Sequence, residues 1–359
     1  MKKSTLLLFI LLGFTSCLLT FCNQEKRIGT NPNDAEKVLL SVPITRAGET
    51  VDEKRVSTAR LIIVRSSGQP GAGEVLVNSN TPVTSGPNDE YQVFKEYIQV
   101  GYIDIYVFGN ELPSWGLNSI AVGSTFSFSL LQTKTYDFTD HPVVDATHPI
   151  PSFAYHQNMH VDISGVLRKD GYPITLIEVQ RLIAKVHVKI NCLFSELPDN
   201  TPIALDSIFI RRMPKTSWLI PKYNTLTSDP NYFDGTYHAF PALTPSEEST
   251  GGFFREHIFY IPEYLVTDIT KYTYITIAAH KVVAPLQRFH WKLVLGNGIP
   301  TKTMAEMFTI ANNDDLTITR NVCYTYNIVR IIGFGDQEDR TIHLEADVSP
   351  WNWQVIPIQ

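Results

Sequence analysis

The sequence predicts an all-β protein of two tandem β-sandwich domains. Three observations carry this. Runs in which apolar and polar residues alternate recur along the chain, the period of a strand that buries one face. Turn-forming clusters separate short runs, and helical periodicity is scarce, the pattern of sandwiches. The length, about 340 of the 359 residues once an N-terminal leader is set aside, exceeds one comfortable hydrophobic core.

The leader comes first. Residues 1–3 are basic and 5–14 are apolar, too short to span a bilayer and placed like a secretory signal peptide, here 1–16. Cys17 follows Ser16, the small residue that a lipoprotein signal peptidase accepts. Cys22 follows the less suitable Phe21 but precedes the polar Asn23, Gln24, Glu25 and Lys26. Cys17 is the preferred lipidation site and Cys22 the alternative, with an ordinary signal peptide as the plainer reading. An acylated cysteine would hold the protein at a bacterial membrane through residues 17–34, a flexible polar tether.

The next stretch, 36–47, organises the rest. Val38, Leu40, Val42 and Ile44 alternate with Lys37, Leu39, Ser41 and Pro43, a strand with one buried face. Pro43 cannot donate to a ladder, which predicts an edge strand. Burying four such side chains is worth roughly 1.5–3 kcal/mol each, an upper bound. Arg46 and Ala47 follow at once, in a polar run with Gly48 that reads as an exposed loop, the kind of segment proteases cut. The plainest interpretation is the first strand of a sandwich.

Beyond it, 59–64 is a buried strand ended by Ser66, Ser67 and Gly68, 71–90 is loop, and 91–108 holds strands in which Ile103, Ile105 and Val107 alternate with Tyr102, Asp104 and Tyr106. Residues 110–116 turn the chain, 119–135 fit either a helix or a strand with a loop, 141–151 are irregular, and 160–163 form a short strand. The domain boundary is expected within 171–175, giving domains 35–173 and 174–359. Residues 174–194 form the longest regular segment, with Val186, Val188, Ile190 and Cys192 on one side and Lys185, His187, Lys189 and Asn191 on the other. Strands follow at 207–211, 253–261, 273–279 and 290–295, around a turn-rich insertion at 214–249. Residues 316–332 and 341–348 read as a closing hairpin.

No catalytic, metal or cofactor site emerges, and the chain does not read as an enzyme. The net charge of −6 argues against nucleic acid as a partner. His156 and His160 have zincin spacing, but the general base is replaced by Gln157, and the segment reads as strand. There is no G-x-S-x-G and no P-loop. Asn312, Asn313, Asp314 and Asp315 fit a polar hairpin loop better than a cation site. Cys192 and Cys323 lie in strand-like runs and read as buried free thiols.

Several segments together resemble one family. Ile318-Thr319-Arg320-Asn321 with Tyr324, Tyr326 and Val348-Ser349-Pro350-Trp351 is similar to the C-terminal signature of fimbrillins, the type V pilins and associated fimbrial lipoproteins of Bacteroidales. Arg181 to Val186 resembles their R-x-x-A-(K/R)-V strand, and Phe259-Tyr260-Ile261-Pro262-Glu263 their F-Y-x-P-E segment. Tyr102 to Glu111 resembles I-Y-V-x-x-N-E, and Ile44-Thr45-Arg46-Ala47 the T-R-A after the first strand. The resemblance implies transthyretin-like sandwiches, a lipidated precursor at the outer membrane, and assembly by strand exchange. An Arg-specific protease would cut between Arg46 and Ala47 and release the strand bearing Val38, Leu40, Val42 and Ile44. The partners implied are that protease, other fimbrial subunits, the outer membrane through the lipid, and a host or bacterial surface receptor. Arg320, Asn321 and Trp351 are expected to be structural. In stalk subunits the donor strand is a C-terminal extension, whereas Trp351 is followed here by eight residues interrupted by Pro357; this favours a tip, accessory or anchor subunit. The alternative is a surface lipoprotein that binds glycan through exposed aromatics, with Trp115 or Trp218 among them.

Overall fold

The computed structural model describes residues 37–45, 56–83, 92–138, 148–197, 200–220, 232–235, 237–263, 272–283, 287–298, 315–331 and 342–350. The protein is all-β, as expected. In chain order the strands are β1 (Lys37–Thr45), β2 (Thr58–Arg65), β3 (Val75–Pro82), β4 (Gln92–Gln99), β5 (Gly101–Gly109), β6 (Thr135–Asp137), β7 (Ser152–Val161), β8 (Leu167–Lys169), β9 (Tyr172–Pro173), β10 (Ile177–Glu178) and β11 (Gln180–Arg181). The second half adds β12 (Ile183–Leu193), β13 (Ile203–Arg211), β14 (Met213–Pro214), β15 (Thr216–Trp218), β16 (Tyr232–Phe233), β17 (Tyr237–Ala239), β18 (Gly252–Pro262), β19 (Tyr274–Lys281), β20 (Arg288–Val294), β21 (Val322–Ile331) and β22 (Ile342–Pro350).

A three-stranded sheet, ordered β10-β1-β4, shares one apolar cluster with a seven-stranded sheet ordered β3-β2-β5-β7-β8-β9, with β11 paired to β7. The centre of the seven-stranded sheet, β2 and most of β5, is buried on both faces. Leu61, Ile63, Ile103, Ile105 and Val107 face the β1 sheet, while Ile62, Val64, Tyr106 and Phe108 belong to the second cluster. That is why β2 reads as an unbroken apolar run rather than an alternation. In the second half, β18-β12-β21-β22 and β17-β13-β19-β20 form two four-stranded sheets around Val186, Val188, Ile190, Ile208, Ile210, Trp291 and Tyr326. This second cluster also takes in Trp115, Phe138 and Leu182, so one apolar core is continuous across both halves.

Sheet pairing passes from the first half to the second at Leu182. β9, β10 and β11 still pair with β8, β1 and β7, and β12 begins the later sheets. The segment 174–194 is therefore three strands rather than one. The halves are also joined by a ribbon of β6 and β15, in which Phe138 N donates to Lys215 O at 2.7 Å and Leu219 N to Lys134 O at 2.9 Å. Within 119–135 the structure resolves the open choice as turns and one short helix, Phe128–Leu131. The predicted short strand at 160–163 is the end of the ten-residue β7. Asn158, at φ +56°, makes a bulge there, and the register skips from Ile103↔Met159 to Ile105↔His156. The skip reverses the in–out parity and hides the strand from a period-two reading. β21 and β22 form the closing hairpin.

Candidate functional site

β1 buries the four side chains that its alternation predicts. Leu40 and Val42 are fully buried, and Val38 and Ile44 nearly so, against Leu61, Ile63, Val77, Phe94 and Ile105. Its antiparallel ladder with β4 runs from Lys37↔Gln99 to Ile44↔Gln92. The edge-strand expectation from Pro43 needs correction. β1 is the middle strand of its sheet, because β10 pairs with it in parallel at Ile44↔Ile177 and Thr45↔Glu178. That second ladder starts only after Pro43, which is how the missing N–H is accommodated. Among the described residues β4 and β10 pair with no strand but β1. Taking β1 out would leave an apolar slot between them. Arg46 and Ala47, the expected scissile pair, lie outside the described residues, as do Cys17, Cys22 and Trp351.

The remaining resemblance motifs converge on structural corners. Asn110 closes β5 at φ +52°; its Oδ1 accepts from Ser57 N at 2.7 Å and its Nδ2 donates to Ile150 O at 2.9 Å. Glu111 takes the buried Arg60 in a two-toothed ion pair at 2.5 and 2.7 Å. In the second half Arg181 Nη1 donates to Asn321 Oδ1 at 3.1 Å, and Asn321 N donates to Ile183 O at 3.0 Å from φ +56°. The neighbouring Arg320 donates through Nε to Glu263 Oε2 at 2.7 Å, through Nη1 to Leu219 O at 2.9 Å, and through Nη2 to Trp218 O. Tyr324 OH accepts from Thr319 N at 2.8 Å and donates to Asn297 Oδ1 at 2.5 Å, and burial pushes it up to about 12. Three motifs separated in sequence thus meet at one corner, and Arg320 and Asn321 stand just before β21, as expected of structural residues.

Cys192 and Cys323 are buried free thiols, and burial, with Glu196 nearby, raises Cys192 to about 12. Lys185, on the side opposite Val186, is fully buried as well. Trp115 is also buried, its Nε1 donating to Thr135 O at 2.8 Å, so it cannot serve as a glycan platform. Trp218 is half-buried. Tyr102 and Tyr155 are the exposed aromatics that share a face of the seven-stranded sheet. His156 lies in β7, not on a helix, and no group of three potential metal ligands occurs among the described residues. Sequence reading missed Gly165, which touches β1. Its signal, Asp162-Ile163-Ser164-Gly165, announces a turn but not what the turn rests on.

One titrating pair makes a prediction. His257 on β18 stacks on His238 of β17 at 4.1 Å between ring centroids, bridging the two later sheets. Burial first, and His238 second, lower His257 from 6.5 to about 4. The unfolded chain therefore takes up this proton before the folded one, so stability falls as pH drops from 6.5 to 4 and levels off below. His156, lowered by burial and by Lys169, acts in the same direction. Thermal melts across this range should show the loss, and His257→Phe should flatten it.

No family model and no curated protein matches the chain. Solved structures do. The tip fimbrial protein Mfa3 of Porphyromonas gingivalis, truncated at its C-terminus, superposes with a TM-score of 0.59 over 88% of this chain and 100% of that one, at 15% identity. A candidate cell adhesion protein of Parabacteroides distasonis gives 0.56 over 87% and 96%, at 12% identity. The fimbrilin FimA of Porphyromonas gingivalis W83 gives 0.51 over 88% and 97%, also at 12% identity. The fold of this chain is the one carried by fimbrial and cell adhesion proteins of this bacterial group.

Proposed function

We propose that the protein is a fimbrial subunit of two sandwich domains, of tip, accessory or anchor type, displayed at the cell surface and assembled by strand exchange. It reaches the outer membrane as a lipoprotein acylated at Cys17, or at Cys22. An Arg-specific protease cuts after Arg46, β1 leaves, and a strand from another subunit fills the slot. One observation carries this reading: among the described residues β1 alone joins β4 to β10, fills the core with four side chains, and ends at Thr45, one residue before the proposed cut. The likeness to a tip fimbrial protein supports the tip variant. Glycan binding is the weaker reading, since Trp115 is buried and two tyrosines on an open sheet face make a thin platform.

The test is the mass and N-terminal sequence of the protein recovered from the cell surface. A chain beginning at Ala47 is the expected result for a polymerising or tip subunit. A chain beginning at an acylated Cys17 or Cys22, with Arg46 intact, would overturn strand removal and leave an anchor or an unrelated surface lipoprotein.

A further inference from the structure

The turn between β7 and β8 rests on the backbone of β1. Gly165 stands in it at φ +78°, and a Cβ there would fall 2.3 Å from Leu39 O and 3.8 Å from Val38 Cβ. Two constraints therefore coincide at Gly165: a left-handed conformation and a backbone approach that leaves no room for a side chain. The turn is built to hold its shape. Asp162 Oδ1 accepts from Ser164 N at 2.9 Å, Val166 N at 3.1 Å and Ser164 Oγ at 2.5 Å, and Oδ2 accepts from Arg168 Nε at 2.8 Å. Gly165 N returns to Asp162 O at 2.9 Å. The Ser164 hydroxyl, Arg168 and these amides keep the Asp162 carboxyl well below the usual carboxylate range.

The contact falls where β1 has least other backbone support. β10 holds only Ile44 and Thr45, so over the first part of the strand β4 is its one ladder partner among the described residues. A one-residue slip along β4 would turn Val38, Leu40, Val42 and Ile44 out to water and Leu39, Ser41 and Pro43 into the core. We propose that the 162–166 turn is a register clamp on the strand in this slot, with Gly165 as its positioning residue. The nearest atoms are the Leu39 carbonyl and, farther off, the Val38 Cβ, which every residue but glycine carries. The turn therefore holds any occupant at one depth regardless of its sequence, and this second step rests on the strand-exchange reading above. The occupant it fits is an extended segment, antiparallel to β4, with apolar residues at four alternate positions.

The clamp is tested on the full chain with Arg46 intact, so the result does not depend on whether β1 is ever removed. Gly165→Asn keeps a residue type that tolerates positive φ but adds a Cβ against Leu39. Gly171→Asn is the control: Gly171 has φ +85° in the neighbouring turn, with nothing within 4 Å of an added Cβ. Hydrogen exchange of the β1 amides should rise about tenfold or more in Gly165→Asn, with β5 unchanged, and stay at the parent rate in Gly171→Asn. Equal β1 exchange in the two variants would overturn the clamp. Should Gly165→Asn fail to fold, Asp162→Asn decides, because it loosens the turn without adding atoms at the contact. Faster β1 exchange there supports the clamp, and parent-like exchange overturns it. A clamp that fails this test leaves strand removal standing, and a surface chain that keeps Arg46 leaves the clamp standing.

Discussion

A chain that lacks residues 1–46 is expected to lose its folded monomer, and a peptide with the sequence of residues 36–46 is expected to restore it. Two facts set the size of this effect. β4 and β10 have no strand partner but β1 among the described residues, so the three-stranded sheet has no existence without it. Val38, Leu40, Val42 and Ile44 together are worth roughly 6–12 kcal/mol at about 1.5–3 kcal/mol each, which rivals the whole net stability of a domain, about 5–15 kcal/mol. The truncated chain should therefore aggregate, melt early or recruit a strand from a second copy. Size exclusion and thermal melts distinguish these outcomes. A peptide carrying Leu40→Asp should not rescue, because the charge would enter a site that is 0% exposed. In the intact chain Leu40→Ala should cost about 2–5 kcal/mol. A truncated chain that stays monomeric with an unchanged melting temperature would refute the slot as an energetic feature of the fold, whatever the N-terminus of the native protein proves to be.

How far the sequence was legible follows from what each signal can express. The alternation in β1 states which side chains face inward, and all four do. It does not state what lies on either side of the strand, so Pro43 suggested an edge where a short second ladder begins just beyond it. The same limit explains Lys185. Period two assigns it to the opposite side from Val186, but cannot say that this side is covered as well. The handover at Leu182 has no glycine or proline to mark it, and the strands on both sides of it are extended, so 174–194 reads as one element. Arg60 and Arg181 are buried because Glu111 and Asn321 meet them from 51 and 140 residues away. No local pattern pairs residues at that distance. The motifs could be named in the sequence, but only the fold brings them to shared corners. Gly165 is the extreme case, legible as a turn glycine and illegible as a contact with β1.

Arg320→Ala is expected to be the most damaging single substitution in the second half. The guanidinium reaches three groups at once: Glu263 at the end of β18, and the carbonyls of Trp218 and Leu219 at the end of β15. β15 belongs to the ribbon with β6 that ties the two halves together. Arg320 and Glu263 are both largely buried, at 7% and 17% exposure. Removing one member of such a pair leaves the other as an uncompensated charge, and this typically costs about 3–5 kcal/mol. Two carbonyls also lose a charge-assisted donor. Glu263→Gln also leaves Arg320 without its counter-charge, but should cost less, because the amide can still accept from Arg320 and the two carbonyl contacts remain to it. The ordering, more than either value, tests the structure. If Arg320 acted only through Glu263, the two single variants would be similarly unstable and their combination no worse than either, since it leaves no lone charge. If it also holds β15, Arg320→Ala should be the worse of the two and should speed hydrogen exchange across Thr135–Asp137 and Thr216–Trp218, while Glu263→Gln leaves those amides near the parent rate. A double-mutant cycle read by chemical denaturation separates the shared ion-pair energy from the carbonyl contacts, and equal losses with an undisturbed ribbon would show that Arg320 does not hold β15.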